Sequence, residues 1–214
     1  MPGDQTPRCC GGVRTLSAVS LKSLIARAMR HDAESRLSEP ADGVVEDAVR
    51  IEPLTKTDVT SAVRLAVRVL RVRPGDRGEQ FASDITGDRR QMFVAKANGQ
   101  VVAYGRVTER AADEAGPETP AGYYLSGVLV EPALRRRGIA LALTRARLRW
   151  VFARTDEVFY VAGTDNVASL HLHTALGFQE VKRFGSERSA AAVDVLSRLA
   201  RAAYRDIDPF TDDE

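Results

Sequence analysis

The chain has 214 residues, of which 44% are hydrophobic, and its formal net charge is +2. This length suits one domain with an extension, or at most two small domains. The near-neutral charge gives no global electrostatic reason to expect binding to nucleic acid or to a membrane.

Residues 1–45 are predicted to be a partly disordered N-terminal extension with a short amphipathic helix near residues 18–37. The only cysteines, Cys9 and Cys10, lie in this extension and lack the spacing of metal ligands. We therefore expect no metal and no disulfide framework. No apolar run approaches the ~20 residues that cross a bilayer, and the N-terminus lacks the apolar core of a signal peptide. The expected location is cytoplasmic.

Hydrophobic periodicity and turn residues predict one domain at residues 46–185, followed by a C-terminal helix and acidic tail at 186–214. In chain order, the predicted elements are a strand at 49–54, a helix capped by Thr55 or Thr57, a short helix at 78–86, strands at 91–97, 101–108 and 123–130, a helix at 135–154, a strand at 157–161, a helix at 166–176, a strand at 178–184, and a last helix from Ser186 to Tyr204. The dipeptide Asn98-Gly99 predicts a hairpin turn between the second and third strands. This order indicates an α+β (α/β) fold with a mixed, mostly antiparallel sheet flanked by helices, ending in a C-terminal helix.

The segment Arg135-Arg136-Arg137-Gly138-Ile139-Ala140 lies between a strand that ends in Glu131-Pro132 and an amphipathic helix. A helix N-terminus presents unpaired N–H groups and a partial positive charge, which suit a phosphate. Gly138 lets the backbone approach a ligand closely, and arginines add charge-assisted hydrogen bonds to phosphate oxygens. The alternative is a solvated arginine run that opens a surface helix.

Together with Val128-Leu129-Val130-Glu131-Pro132, this segment resembles the acetyl-coenzyme A signature of the GNAT N-acetyltransferase family, Gln/Arg-x-x-Gly-x-Gly/Ala. Further along, Asn166 and Leu176-Gly177-Phe178 resemble the same family's next helix and strand. The nearest resemblance is to aminoglycoside 6'-N-acetyltransferases, through Arg-Arg-Arg-Gly and Leu172-His173-Thr174-Ala175-Leu176-Gly177-Phe178.

This resemblance implies transfer of an acetyl group from acetyl-CoA, as co-substrate, to a primary amine of a small molecule. The residues that it assigns to the cofactor are Val128, Leu129, Val130, Arg135, Arg136, Arg137, Gly138, Ile139, Ala140 and Asn166. It leaves a homodimer open.

Two residues are the catalytic candidates. His173 occupies the position where many family members have a tyrosine that protonates the leaving thiolate, and an imidazole suits an acid or a water-relay base. Ser126 stands near the position where several members have a glutamate base. The structural alternative for His173 is packing on a half-buried helix face, and His171 is expected at the surface.

Other groups remain candidates without a stronger claim. Possible bases are Glu109, Glu131 and Asp165, and the aromatic residues Tyr123, Tyr124 and Tyr160 would line an acceptor pocket or simply pack in the core. An acidic loop at 109–118 would suit a polycationic acceptor. The competing functions are a protein or peptide acetyltransferase, a catalytically degenerate acetyl-CoA-binding module, and a nucleic-acid-binding module that uses Arg145, Arg147 and Arg149. The near-neutral charge argues against the last of these.

Overall fold

The computed structural model describes residues 49–72, 74–186, 189 and 191–205. The predicted extension at 1–45 and the tail at 206–214 lie outside the described residues. The strands are β1 (Arg50–Pro53), β2 (Arg90–Ala97), β3 (Gln100–Arg110), β4 (Gly122–Val130), β5 (Glu157–Gly163), β6 (Gln179–Gly185) and β7 (Val193–Ala200). The helices are α1 (Val59–Leu70), α2 (Pro74–Thr86), α3 (Ile139–Phe152), α4 (Val167–Ala175) and the short α5 (Arg201–Arg205). Within this part of the chain, no helix is long and apolar enough to span a bilayer.

All seven strands form one sheet in the order β1-β2-β3-β4-β5-β7-β6. Pairing is antiparallel from β1 to β4 and again from β5 through β7 to β6, and only β4 and β5 run parallel. A parallel neighbour requires a crossover connection, which α3 supplies. The predicted mixed, mostly antiparallel sheet flanked by helices is confirmed.

The hairpin between β2 and β3 turns where the sequence predicted. Asn98 and Gly99 both have positive φ, 50° and 72°, as a two-residue type I′ turn requires. At the start of α1 the backbone N–H of Thr55 donates to a carboxylate oxygen of Asp58 at 3.0 Å, in the manner of a capping box. Two predicted helix starts were misplaced. α2 begins at Pro74, because proline is well suited to the first helical position, and α3 begins at Ile139 rather than Arg135.

The predicted C-terminal helix from Ser186 to Tyr204 is wrong. Residues Val193–Ala200 form β7, which inserts between β5 and β6, and among the described residues from 186 onward only Arg201–Arg205 are helical. The middle of β7 is buried on both faces, since the consecutive residues Val195 and Leu196 are both buried, as is Leu199. Such a strand lacks the apolar–polar alternation of a half-exposed one, so its apolar spacing also fitted a helix.

The two faces of the sheet carry different helices. Alternate residues of β2 point to opposite faces: Met92 and Val94 pack with Leu65 of α1, while Phe93 packs with Leu143 of α3. The sheet is therefore covered by α1 and α2 on one face and by α3 on the other.

A buried ion pair fastens α2 to the sheet. Arg106 of β3 donates from Nε and Nη2 to the two carboxylate oxygens of Asp84, with Nη2 to Oδ1 at 2.9 Å. The Asp84 side chain is fully buried and that of Arg106 is 11% exposed. A bidentate arginine–carboxylate pair is rigid, so this contact fixes the position of α2 beside the centre of β3.

We expect Asp84→Asn to lower the free energy of unfolding by about 3 kcal/mol, because it leaves the Arg106 cation buried without its counterion. Urea unfolding followed by circular dichroism measures the change. The control is Asp113→Asn, which removes the same charge from an exposed turn and should leave stability nearly unchanged. Equal effects of the two substitutions would contradict this account of the pair.

Candidate active site

The central feature of the sheet is a fork between its two parallel strands. β4 and β5 pair only through Tyr124 with Phe159 and Leu125 with Tyr160. Beyond these pairs the strands part and border a cleft of about 320 Å³. The residues that line it are Leu125, Ser126, Gly127, Val128, Arg147, Tyr160, Val161, Ala162, Gly163, Asn166, Ser169, His173 and Asp194.

A β-bulge in β4 lies at the fork. The register between β3 and β4 shifts between Tyr104, which faces Leu129, and Arg106, which faces Ser126. Two residues of β4 therefore stand opposite one residue of β3, and Gly127 takes a left-handed conformation with φ +57°. A bulge leaves its extra residue outside the ladder, so a backbone N–H at this point is free for a ligand.

A second cavity of about 510 Å³ continues from the cleft toward the start of α3. The two cavities share Val128, Asn166 and Ser169. The predicted cofactor residues that line the second cavity are Val128, Leu129, Val130, Arg135, Arg136, Gly138, Ile139, Ala140 and Asn166. Arg137 does not line it. The structure therefore brings together all but one of the residues that the sequence assigned to this role.

The turn before α3 has the backbone that an anion site needs. Arg136 and Gly138 both have left-handed φ, 64° and 77°, and Gly138 is the N-cap of α3. Such turns form concave arrays of N–H groups that bind anions. Arg135 donates from Nε to the carbonyl of Val130 at 3.2 Å. Arg135, Arg136 and Arg137 are exposed and form no ion pair with a carboxylate of the described chain, so their charge is available to a phosphate.

The Asn166 side chain starts α4. Its Oδ1 accepts a hydrogen bond from the backbone N–H of Ser169 at 3.3 Å, an N-cap contact, and the residue lines both cavities. Asn166 therefore has a structural role in addition to the predicted one.

His173 lies in the cleft and is 2% exposed. Its ring stacks on Tyr160 with centroids 3.6 Å apart, and its Nδ1 lies 2.8 Å from the carbonyl oxygen of Ser169. A carbonyl only accepts, so Nδ1 carries the proton and Nε2 presents a lone pair. Nε2 is buried and has no hydrogen-bond partner in the described residues.

Burial is the main cause that lowers the pKa of His173 to about 4. The hydrogen bond to the Ser169 carbonyl raises the pKa, and the charge of Arg147 lowers it further. The ring is therefore neutral at physiological pH. Of the two roles predicted for His173, this tautomer does not favour donation to a thiolate; a neutral ring with a free Nε2 is suited to accept a hydrogen bond, from a water molecule or an amine. His171 is exposed, as predicted.

The Ser126 hydroxyl lines the same cleft, and its oxygen is buried without a hydrogen-bond partner in the described residues. Of the three candidate tyrosines, only Tyr160 lines the cleft, where its hydroxyl donates to Ser169 Oγ at 2.7 Å. Tyr124 donates to the carbonyl of Pro120, and Tyr123 packs edge-to-face on Trp150. These two tyrosines therefore belong to the core or the surface.

The alternative bases lie outside the cleft. Glu109 pairs with Arg89, and Glu131 pairs with Arg68. Asp165 does not line the cleft. Ser126 and His173 are thus the predicted catalytic candidates that the fold places at the fork.

The acidic loop does not present free carboxylates to the cleft. Glu109 and Glu114 both pair with Arg89, and Glu118 pairs with Lys182 at 2.6 Å. None of them lines the cleft. The expectation that this loop forms an acidic acceptor pocket is therefore not supported by the geometry.

The burial of Arg147 was not predicted from the sequence. In sequence this residue groups with Arg145 and Arg149 as a basic helix face, but in the structure Arg147 is completely buried and lines the cleft. The available signal was its spacing, four residues after Leu143 on the apolar stripe of α3, where a charged residue is unexpected. Among the described residues, no group of three or more His, Cys, Asp or Glu side chains is placed to hold a metal ion.

Comparison with known proteins agrees with this geometry. Aminoglycoside N(6')-acetyltransferase type 1 of Salmonella typhimurium is 29% identical over 115 residues, which cover 51% of this chain and 79% of that protein. The N-alpha-acetyltransferase RimI of Mycobacterium tuberculosis is 27% identical over 135 residues, which cover 63% of this chain and 81% of that protein. The crystal structure of Arabidopsis thaliana NAA60 in complex with acetyl-CoA has the same fold, with a TM-score of 0.59, 15% identity, and coverage of 72% of this chain and 98% of that one.

The sequence model of the acetyltransferase (GNAT) family matches residues 64–178, which run from within α1 through the fork, the turn before α3, and α4, to the residue before β6. This match covers more than half of the chain, and it includes both cavities except for Asp194. The chain therefore belongs to the GNAT family of acetyltransferases and is an N-acetyltransferase.

Proposed function

We propose that this N-acetyltransferase moves the acetyl group of acetyl-CoA to a primary amine of a small molecule. The observation that carries the proposal is the continuity of the two cavities, which runs from an anion-binding turn at the start of α3 to the polar floor of the fork. A long cofactor with phosphates at one end and a reactive thioester at the other fits such a path.

The described residues suit each part of that cofactor. The turn at 135–138 and the first N–H groups of α3 would hold the pyrophosphate. From Val128 to Val130, the side of β4 that is turned away from β3 has no strand paired with it, because the pairing with β5 ends at Leu125. This side would pair with the amide groups of the pantetheine arm. The Asn166 amide, which borders both cavities, would bond the arm between them.

The reaction forms a C–N bond to the amine, breaks the C–S bond of the thioester, and moves a proton from nitrogen to the leaving sulfur or to solvent. Acetyl-CoA supplies the activated acyl group. The backbone N–H at the bulge would stabilise the negative charge that develops on the carbonyl oxygen. Ser126 Oγ and His173 Nε2 would bond the attacking amine, since both face the cleft without another partner. As a hydrogen-bond acceptor, Nε2 would orient the amine, directly or through a water molecule, while the proton leaves to the sulfur or to solvent.

The lining of the cleft bears on the choice of acceptor. Among the described residues that line it, Asp194 alone carries a carboxylate, which does not by itself make a site for a polycation. The second candidate is the N-terminal amine of a peptide or protein, which the similarity to RimI favours.

Release of coenzyme A should be measured with a panel of amines that contains aminoglycosides, small monoamines, and peptides that differ only in a free or blocked N-terminus. Turnover of small amines supports the proposal, and turnover of peptides only when the N-terminus is free supports the second candidate. Binding of acetyl-CoA without turnover of any amine would support a degenerate binding module instead.

We expect Gly138→Asp to reduce affinity for coenzyme A by at least roughly 10²-fold, because it places a carboxylate against the pyrophosphate and a side chain at a left-handed φ of 77°. Calorimetry with coenzyme A measures the effect. Gly116→Asp, which adds the same charge to an exposed loop, is the control. Unchanged affinity in the Gly138 variant would remove the turn before α3 from the cofactor site.

The titration of His173 predicts a dependence of stability on pH. The pKa is about 4 in the folded protein against 6.5 for the ordinary group, so between these values the unfolded chain binds a proton that the folded protein excludes. The contribution of His173 to the free energy of unfolding is therefore complete above pH 6.5, and it falls by about 3 kcal/mol as the pH falls to 4. Replacement by phenylalanine removes the titration, so urea unfolding of His173→Phe should show a shallower loss over this window. Parallel pH profiles would show that the buried imidazole does not titrate as described.

The same variant tests the proposed role of His173 in catalysis. If Nε2 accepts a hydrogen bond from the attacking amine and orients it, His173→Phe should lower kcat by roughly 10²-fold, the scale expected for a misplaced reactant. Affinity for coenzyme A should stay near that of wild type, because the phosphate contacts lie at the other cavity. A kcat within a few-fold of wild type would leave His173 as a packing residue.

A further inference from the structure

The floor of the fork contains a buried cation that has no counterion. Arg147 is completely buried and forms no ion pair with a carboxylate of the described chain. Burial lowers the pKa of its guanidinium to about 9, so the side chain remains protonated at neutral pH. A buried charge without a counterion is costly even when it is hydrogen-bonded, and its presence calls for a reason other than stability.

The hydrogen bonds of Arg147 lead to the fork. Its Nη1 donates to the carbonyl oxygens of Arg106 and Ser126, at 3.3 and 3.4 Å, on the neighbouring strands β3 and β4. Nε donates to the carbonyl of Leu143 at 3.3 Å, and Nη2 donates to Thr144 Oγ1 at 2.7 Å. The guanidinium therefore joins α3 to both strands at the point where the ladder between them is interrupted.

The carbonyl of Ser126 and the N–H of Gly127 belong to one peptide group. A cation that binds the carbonyl oxygen polarises this group and strengthens its N–H as a donor, as in any chain of hydrogen bonds. Gly127 is the bulge residue and lines the cleft. The positive charge of Arg147 thus acts on the backbone group closest to the fork.

The room for this arginine comes from a glycine on β3. A Cβ atom at Gly105 would lie 2.9 Å from Nε of Arg147 and 3.1 Å from its Cζ. Glycine within a strand weakens the strand and often marks a close approach. Gly105 and Arg147 therefore form a matched pair, because the guanidinium of Arg147 occupies the space that a side chain at position 105 would need.

We infer that Arg147 is a positioning residue for acyl transfer: its guanidinium holds and polarises the Ser126–Gly127 peptide, so that the N–H of this peptide binds the thioester carbonyl oxygen as it becomes anionic. The inference rests on the proposed function, since it presumes that a thioester occupies the cleft. Polar groups that face Arg147 from other elements, Tyr160 of β5 and His173 of α4, are neutral and leave its charge uncompensated.

The decisive experiment reads the polarisation directly and needs no acceptor. Acetyl-CoA labelled with ¹³C at the carbonyl is bound to the protein, and isotope-edited infrared difference spectra record the C=O stretch. A hydrogen-bond donor to the carbonyl oxygen lowers this frequency relative to the same bound carbonyl without that donor. We expect the shift in wild type, its loss in Arg147→Met, and a partial shift in Arg147→Lys, which keeps the charge but cannot reach both carbonyls.

The rate of acetyl transfer should change in parallel with the C=O stretching frequency. With an amine that the wild type acetylates, Arg147→Met should lower kcat by roughly 10²-fold, the scale of one lost oxyanion donor. The affinity for coenzyme A, measured by calorimetry, should hardly change. Arg147→Lys should recover part of this loss. Arg149→Met, on the exposed side of α3, is the matched control and should behave as wild type. Thermal unfolding of Arg147→Met should not occur at a lower temperature than that of wild type, because an apolar replacement of a buried charge is often neutral or stabilising.

A double-mutant cycle isolates the matched pair. Gly105→Ala should lower kcat by displacing the guanidinium, but it should have no further effect in the Arg147→Met background. Additive effects would contradict the link between these residues.

The possible failures are distinguishable. If acetyl-CoA does not bind wild type, the proposed function fails and the inference fails with it. If it binds and the carbonyl stretch is the same in wild type and Arg147→Met, the inference alone is overturned. Joint loss of coenzyme A affinity and thermal stability in both the Met and Lys variants would also overturn it, in favour of a structural role.

Discussion

The constraint on which the rest of the structure depends is the short pairing between β4 and β5. Two residue pairs hold the parallel strands together, and beyond them the strands diverge. Because α3 provides the crossover, its N-terminus lies at the carboxyl end of β4, where open α/β sheets bind ligands. Backbone groups that a continued ladder would have satisfied are left facing a cleft. The bulge at Gly127, the anion-binding turn and the side chains of α4 are all placed around this divergence.

The floor of the fork is unusual in what it buries. Ser126 Oγ and His173 Nε2 are buried without partners, and Arg147 is buried without a counterion. Each arrangement costs stability, and three of them in one cavity indicate a site that is organised for a ligand rather than for folding. The rest of the described domain follows the ordinary pattern. Its ion pairs are mostly at the surface, where they contribute little, and its apolar clusters cover both faces of the sheet.

The two ends of the site differ in how far they restrict a ligand. The proposed cofactor end is shaped by backbone conformation, since left-handed residues before a helix N-terminus form an array of N–H groups that suits an anion. The proposed acceptor end presents a small number of polar side chains, and the acidic loop adds none, because Glu109, Glu114 and Glu118 pair with Arg89 and Lys182. A single scaffold of this kind accommodates relatives named for aminoglycosides and for protein N-termini.

The sequence by itself determined the order of most elements, the Asn98-Gly99 turn and the candidate cofactor segment from Val128 to Ala140. These features depend on local signals: periodicity, left-handed turn residues, and glycine beside arginine at a helix start. Tertiary structure decided what local signals cannot carry. β7 is a strand because it pairs with β5 and β6, and burial of both its faces hides the alternation that would have indicated a strand. The proton of His173 is on Nδ1 because Ser169 offers a carbonyl one turn away, and its pKa falls because α4 packs against β5. Arg147 looks in sequence like one more member of an arginine-rich helix face, and only its contact with Gly105, 42 positions earlier, places it under the fork. Such long-range contacts depend on how elements pack, and a single sequence does not display them.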